Sequence, residues 1–236
     1  MREAAEMMRR SFRTLLAICP LVLLWMAGVA SAQSYRVQKI AAAPPEELAP
    51  AVRDALAGEG LRVAGPSGTL CELWLRKVVP GKAVPPQELG VTLGQLTEGT
   101  LVGAIRFPAD VKDYRRQRVK AGVYTLRYAL IPVDGNHYGV ATQRDFLLAA
   151  PASEDQSPAT VTLRAALALG RKTTGTSHSS VWSLAGIDAQ PASLPAVVHQ
   201  EEGDLWVLEF SAQVQSGSAA SPVGMALVVV GASPEA

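Results

Sequence analysis

"VKAGVYTLRYALIPVDGNHYGVATQRDFLLAAP", residues 119–151, decides how this chain is read. Within Val123–Leu130, Tyr124, Leu126, Tyr128 and Leu130 fall on one side and Thr125 and Arg127 on the other. That is the two-residue period of a strand. "KAG" ahead of it is a tight-turn signal. Pro132 ends the strand, because proline has no N–H to give to a ladder. Asp134, Gly135 and Asn136 tolerate positive φ or bond their own backbone, so a turn is expected there. Phe146–Leu148 then resumes as a short buried strand. A turn explains Asp134, Gly135 and Asn136. It has no need of an imidazole at His137, and Arg144-Asp145 is expected on an exposed stretch. The stretch therefore reads as a turn that also presents a small polar site, with His137 at its centre and Arg144 or Asp145 orienting it.

Outward from this stretch the alternation recurs. Leu61–Ala64, Leu70–Val79 and Thr100–Phe107 read as strands, and in Asp204–Ala212 the residues Trp206, Leu208 and Phe210 face away from Glu209. Ser34–Ile40 is a further short strand. "MALVVVG" (Met225–Gly231) is continuously apolar, as a central or doubly covered strand is. "QSGSAASP" (Gln215–Pro222) reads as a flexible hairpin connection. Two segments read as helices. In 45–57, Leu48, Val52 and Leu56 repeat every fourth residue, acids fill the first turn and Gly58 stops it. In 160–171, Leu163, Leu167 and Gly170 share a line. About seven short strands with turn signals every 8–12 residues argue a mainly β, antiparallel, sandwich-like fold with one or two accessory helices. An α+β fold with a single sheet is the alternative.

The first 32 residues read as a signal peptide rather than as part of the fold. Arg9, Arg10 and Arg13 form a positive start, Leu15–Gly28 is apolar, and Ala30-Ser31-Ala32 is a small-x-small cleavage site. The apolar run is about 14 residues, where a spanning helix needs about 20. "RRSFR" (Arg9–Arg13) resembles a twin-arginine export signal, whereas the strongly apolar run suits the general secretory route, and both stay open. Cleavage leaves 33–236 as one β-rich domain, with 33–65 as a strand-helix-strand segment packed on it, exported to the periplasm or beyond and without a membrane span. Of 22 basic and 21 acidic residues, the signal holds Arg2, Arg9, Arg10, Arg13, Glu3 and Glu6. The mature chain thus keeps 18 and 19, a net charge of −1. No basic stripe is left to neutralise phosphates, so nucleic acid is not an expected partner. Cys19 departs with the signal, and Cys71 alternates with strand residues as a buried thiol does.

Residues 119–151, "LALGRKTTGTSHSSVWSL" (167–184) and "GDLWVLEF" with "LVVVG" carry a likeness. Together they resemble a family of exported bacterial proteins without an assigned function, in which a "GxYtLRY…PxDGxHxG" hairpin precedes a "DFxLLxP" strand. The resemblance spans roughly half of the mature chain. It implies an exported β-rich domain and supplies no reaction. The similar sequences tend to carry His-Pro where this chain has His178-Ser179.

Three histidines are present: His137, His178 and His199. Should the loops of His137 and His178 meet, Asp134 or Asp145 would complete a two-histidine, one-carboxylate set of the kind a first-row transition metal takes. No H-x-H, H-x-x-x-H or C-x-x-C spacing supports that set, and no cofactor is expected from the sequence beyond such a metal. G-x-S-x-G, G-x-G-x-x-G and the P-loop pattern are absent. "DYRRQRVK" (113–120) reads as a solvated connection with Asp110 and Asp113 as charge partners, or as a patch for an acidic or sugar-phosphate ligand with Tyr114 as a stacking platform. Trp74, Trp182 and Trp206 read as core anchors. Two function classes follow. The favoured one is a non-enzymatic β domain of the cell envelope that binds a small molecule or an envelope protein, with Asp134, His137, Arg144, Asp145 and His178 as candidate contacts. The alternative is a metal-binding protein or metal-dependent enzyme built on the His137 and His178 loops. The export expectation has a direct check: N-terminal sequencing of protein from outside the cytoplasm should begin at Gln33, and recovery of Met1 there would overturn it.

Overall fold

The computed structural model describes residues 34–83, 87–135, 137, 139–141, 143–187 and 194–235. The signal segment, Asn136 and Tyr138 lie outside the described residues. In chain order the described elements begin with β1 (Arg36–Ile40), helix α1 (Pro50–Ala55), β2 (Gly60–Gly65), β3 (Gly68–Leu75), β4 (Val79–Pro80) and β5 (Leu101–Phe107). Next come β6 (Val111–Lys112), β7 (Arg118–Val119), β8 (Gly122–Leu130), β9 (Asp145–Pro151) and helix α2 (Leu163–Thr174). The chain closes with β10 (Trp182–Ser183), β11 (Ala196–Gln200), β12 (Leu205–Ser216) and β13 (Ala219–Val230). The fold is mainly β, with a large curled antiparallel sheet. No helix among the described residues is long and apolar enough to cross a membrane.

The large sheet has the order β1-β2-β3-β5-β8-β9-β10, and the second sheet runs β11-β12-β13 with β4 parallel to β12. An isolated bridge between Leu184 and Leu227 joins the end of the first sheet to β13. At the opposite margin Tyr35, just ahead of β1, meets Trp206 of β12 with ring centroids 4.9 Å apart. His199 of β11 stacks on the same indole at 4.5 Å. The two sheets thus enclose one core. Tyr124, Leu126 and Tyr128 enter it from β8, Leu208 and Phe210 from β12, and Met225, Leu227 and Val229 from β13. For β8 and β12 these are the phases that the alternation predicts. Met225–Val229 is covered on both faces, since Ala226 and Val228 pack outward against Val207 and Tyr114. Trp74 and Trp182 are buried and Cys71 lies in the core, where burial pushes its thiol up to about 12.

Several boundaries differ from the pattern in the sequence. The expected helix 45–57 is helical only over Pro50–Ala55. Proline biases the residue before it away from the helical region, and Ala49 is extended at ψ 144°. Leu48, Val52 and Leu56 nonetheless bury the face expected of them, against Trp74 and Leu101. The second helix starts later, at Leu163, because Thr162 caps it by accepting from the Ala165 N–H. Gln215–Pro222 is not a flexible connection. Its residues continue β12 and β13 in register, with Ser216 opposite Ala219 and only Gly217-Ser218 as the turn. Gly217 takes φ 70°, the left-handed region that a two-residue hairpin turn needs.

The outward face of β8 is the main departure. Thr125 and Arg127 point away from the core as expected, yet both are fully buried. The Arg127 guanidinium pairs with Asp155 through Nε at 2.6 Å and Nη2 at 2.7 Å. Its remaining N–H groups donate to the carbonyls of Gly99, Ala159 and Ser157. Thr125 Oγ1 donates to the same carboxylate. All five donors of the guanidinium are therefore satisfied. The cluster fixes the segment after β9 onto the sheet and so sets where α2 begins. Gly99 sits under this crossing, and a side chain there would put Cβ 2.0 Å from the Val161 carbonyl oxygen. Replacing Asp155 with Asn leaves Arg127 buried without its counter-charge. The expected loss is about 3–5 kcal/mol, read by denaturant unfolding, and a midpoint like that of the parent protein would refute this role.

Candidate functional site

The residues singled out around the β8–β9 turn separate into three sets. Asp145 is the first residue of β9 and is fully buried, not exposed. Its carboxylate accepts from Thr92 N at 2.7 Å, Thr92 Oγ1 at 3.1 Å, Leu93 N at 3.1 Å and Tyr128 Oη at 2.6 Å. The three donors of Thr92 and Leu93 hold the segment before β5 against the sheet, and Tyr128 ties the same carboxylate to β8. Burial and the Asp145 charge together drive the Tyr128 phenol well above its ordinary range. Arg144 donates from Nε to the Ile131 carbonyl and from Nη1 to Glu88. It braces the base of the turn through Ile131 and Glu88. The third set is His137 with Asp134: Nδ1 donates to the carboxylate at 2.6 Å, and the His137 N–H donates to the Asp134 carbonyl at 3.2 Å. Asp134, not Arg144 or Asp145, thus orients this imidazole. The left-handed glycine of the turn is Gly139 at φ 80°, while Gly135 has open space where a side chain would be.

His178 has a different neighbourhood. Arg115 Nη1 stands 3.2 Å from its Nδ1. Arginine only donates, so Nδ1 accepts and the ring proton is on Nε2. Thr174 and Thr176 tie the backbone of this loop by donating to the His178 carbonyl. His137 and His178 each hold a separate partner, and no group of three or more His, Cys, Asp or Glu placed to hold a metal occurs among the described residues.

The "DYRRQRVK" stretch is more structured than a solvated connection. Tyr114 is 8 % exposed and packs with Val207 and Val228, so its ring offers no platform. Asp113 is buried and accepts from the N–H groups of Arg115, Gln117 and Val181 and from the Gln117 amide. Burial raises its carboxyl, and those hydrogen bonds pull against the rise. Asp110 is held low first by the Ala121 N–H and then by Arg118, its salt-bridge partner. The hairpin of β6 and β7 is thereby pinned beside the end of β8.

Between that hairpin, the β8 and β9 ends and the last turn of α2 lies a cleft of about 450 Å³. Its floor is Val123, Tyr124, Pro151 and Ala152, and its rim carries Arg118, Lys120, Lys172 and Glu47. Arg118 is paired with Asp110 and Lys172 with Glu154. Lys120 is exposed at the mouth, its backbone carbonyl anchored by the Tyr124 hydroxyl at 2.8 Å. The C-terminal carbonyls of α2 bring partial negative charge to one wall, which Arg171 and Lys172 in the last turn offset. The positive side of the cleft is therefore the β7 side. The sequence singled out Lys120 within its basic run, whereas Lys172, Pro151 and Glu47 come from three distant segments and share no local pattern. No protein-family model, no curated protein and no solved structure matches the chain.

The contrast between Asp145 and His137 is measurable. Asp145→Ala removes the acceptor of four donors, the buried Leu93 N–H and Tyr128 hydroxyl among them, and should cost at least about 3 kcal/mol. His137→Ala should stay within about 0.5 kcal/mol of the parent protein, as a surface position does. Thermal unfolding of the two variants checks both, and equal losses would show that the turn histidine is structural.

Proposed function

We propose that the mature chain is an exported, non-enzymatic β domain of the cell envelope that binds a small anionic ligand. The observation that carries this reading is the cleft at the α2 end of β8 and β9, with Lys120 at its mouth and Arg118 and Lys172 beside it. The N-terminal Arg9–Ala32 pattern supports export. The cleft lies on the outer surface, where loops and strand ends meet on a scaffold held by a common core. A carboxylate 4 Å from Lys120 gains about 1 kcal/mol in bulk water and about 4 kcal/mol at the effective dielectric of a protein surface. With the apolar floor beneath it, the cleft suits a ligand with one acidic group and an aliphatic body.

Isotope-labelled protein lacking residues 1–32, titrated with N-acetylglutamate, citrate and glycerol 3-phosphate, tests the reading. Amide shifts should concentrate at Lys120, Gly122, Ser153 and Gly175, and Lys120→Glu should weaken binding by about tenfold or more, the equivalent of about 1.4 kcal/mol. Shifts centred on Asp134, His137 and Arg144 would move the site to the β8–β9 turn, and no shifts at either place would end the proposal.

A further inference from the structure

Two more cavities abut the cleft and share its walls. One, of about 510 Å³, is lined by Glu47, Thr69, Arg106, Pro108 and Val123 among others. The other, of about 720 Å³, is lined by Ala43, Pro44, Pro45, Glu47 and Arg106. Glu47 lines all three, and Gly122 and Val123 line the first two. They form one trough across the ends of β5, β8 and β9, running from Lys172 to Pro44.

The charge along this trough is ordered. Lys120 and Lys172 stand at one end. At the other, Arg106 is offset by Glu47 at 3.6 Å and Glu72 at 3.8 Å. The positive end is therefore distinct from a far end whose lining is net acidic, with Glu46, Glu47 and Glu72 against the single cation Arg106. The nearest aromatic rings, Phe107 and Tyr124, are only 2 % and 7 % exposed, so neither presents the face on which a sugar ring stacks. What the floor presents instead is proline, valine, alanine and glycine edges. Such a surface fits an extended backbone with small apolar side chains.

We infer that the ligand is an extended peptide laid along the trough, with its acidic C-terminal end at Lys120 and its apolar residues over Val123 and Pro108. This rests on the cleft reading given above and extends it past Glu47. The carboxylate supplies the attraction at one end, and the length of the trough selects against short acids.

Fluorescence anisotropy with labelled Ala-Pro-Val-Ala-Glu-Glu, carrying a free C-terminus, tests the inference, with N-acetyl-Glu-Glu as an unlabelled competitor. The hexapeptide should bind at least about tenfold more tightly than the dipeptide, a difference of about 1.4 kcal/mol, and its Gln-Gln amide counterpart should lose that advantage. Thr69→Trp, which fills the trough beyond the cleft, should reduce the hexapeptide to the level of the dipeptide and leave dipeptide binding unchanged. Ala43→Trp does the same from the far end if the Thr69 variant fails to fold. A hexapeptide that binds no more tightly than the dipeptide, or that ignores both tryptophans, overturns the extended-peptide inference while the anion cleft stands. An acidic tetrasaccharide that outcompetes the hexapeptide overturns it in favour of a glycan. Failure of hexapeptide and dipeptide alike overturns both readings.

Discussion

Arg127 crosses from the outward face of β8 to the segment after β9 with every guanidinium N–H bonded, two of them to Asp155. Moving one such ion out of water costs several kcal/mol, so the pair is tolerable only because its geometry is complete. Its carbonyl partners at Gly99, Ser157 and Ala159 belong to two other segments, so one side chain sets the spacing among three stretches of chain. Arg76 reaches the same segment by donating to the Pro158 carbonyl at 2.7 Å. Burial and the nearby Arg127 charge both lower its pKa. From Ala159 the chain is only a few residues from the Thr162 cap, and the far end of α2 then supplies Lys172 to the cleft. The rim of the candidate site thus inherits its position from a buried ion pair that touches no ligand.

The side-chain alternation carried most of the fold. Tyr124, Leu126, Tyr128, Leu208 and Phe210 point inward as their spacing says, because a strand has only two faces and one of them was plainly apolar. The opposite face was harder to read. A polar residue in an alternating strand is ordinarily a sign of solvent, and Arg127 and Asp145 carry that sign while being fully buried. Their burial depends on coverings that come from elsewhere in the chain, the segment 151–162 for one and residues 92–93 for the other. The hairpin of β12 and β13 departs from its sequence pattern for a related reason. Gln215–Pro222 consists of small or polar residues, a composition shared by loops and by exposed strand tips, and only the register distinguishes the two.

The candidate site was legible in pieces. His137 was visible as an imidazole that a turn does not require, and its partnership with Asp134 three residues earlier lies within local reach. Lys120 was visible as part of a basic run. The cleft itself was not, since Glu47, Lys120, Pro151 and Lys172 are brought together only by strand order and by the path of α2. Tyr114 shows the converse. An aromatic ring inside a charged run suggests a platform, but the ring turns inward to close a minor core with Val207 and Val228.

Asp145 has a bearing on motion as well as on stability. The chain before β5 is irregular in its backbone, and irregular segments usually form the most easily opened part of a domain. Here Thr92 and Leu93 give their N–H groups to a carboxylate that is anchored in β9 and bonded to Tyr128 in β8. Peeling this segment away would leave a charged group bare between two strands. The segment therefore has no cheap local opening of its own and belongs to the same cooperative unit as the β8–β9 pair.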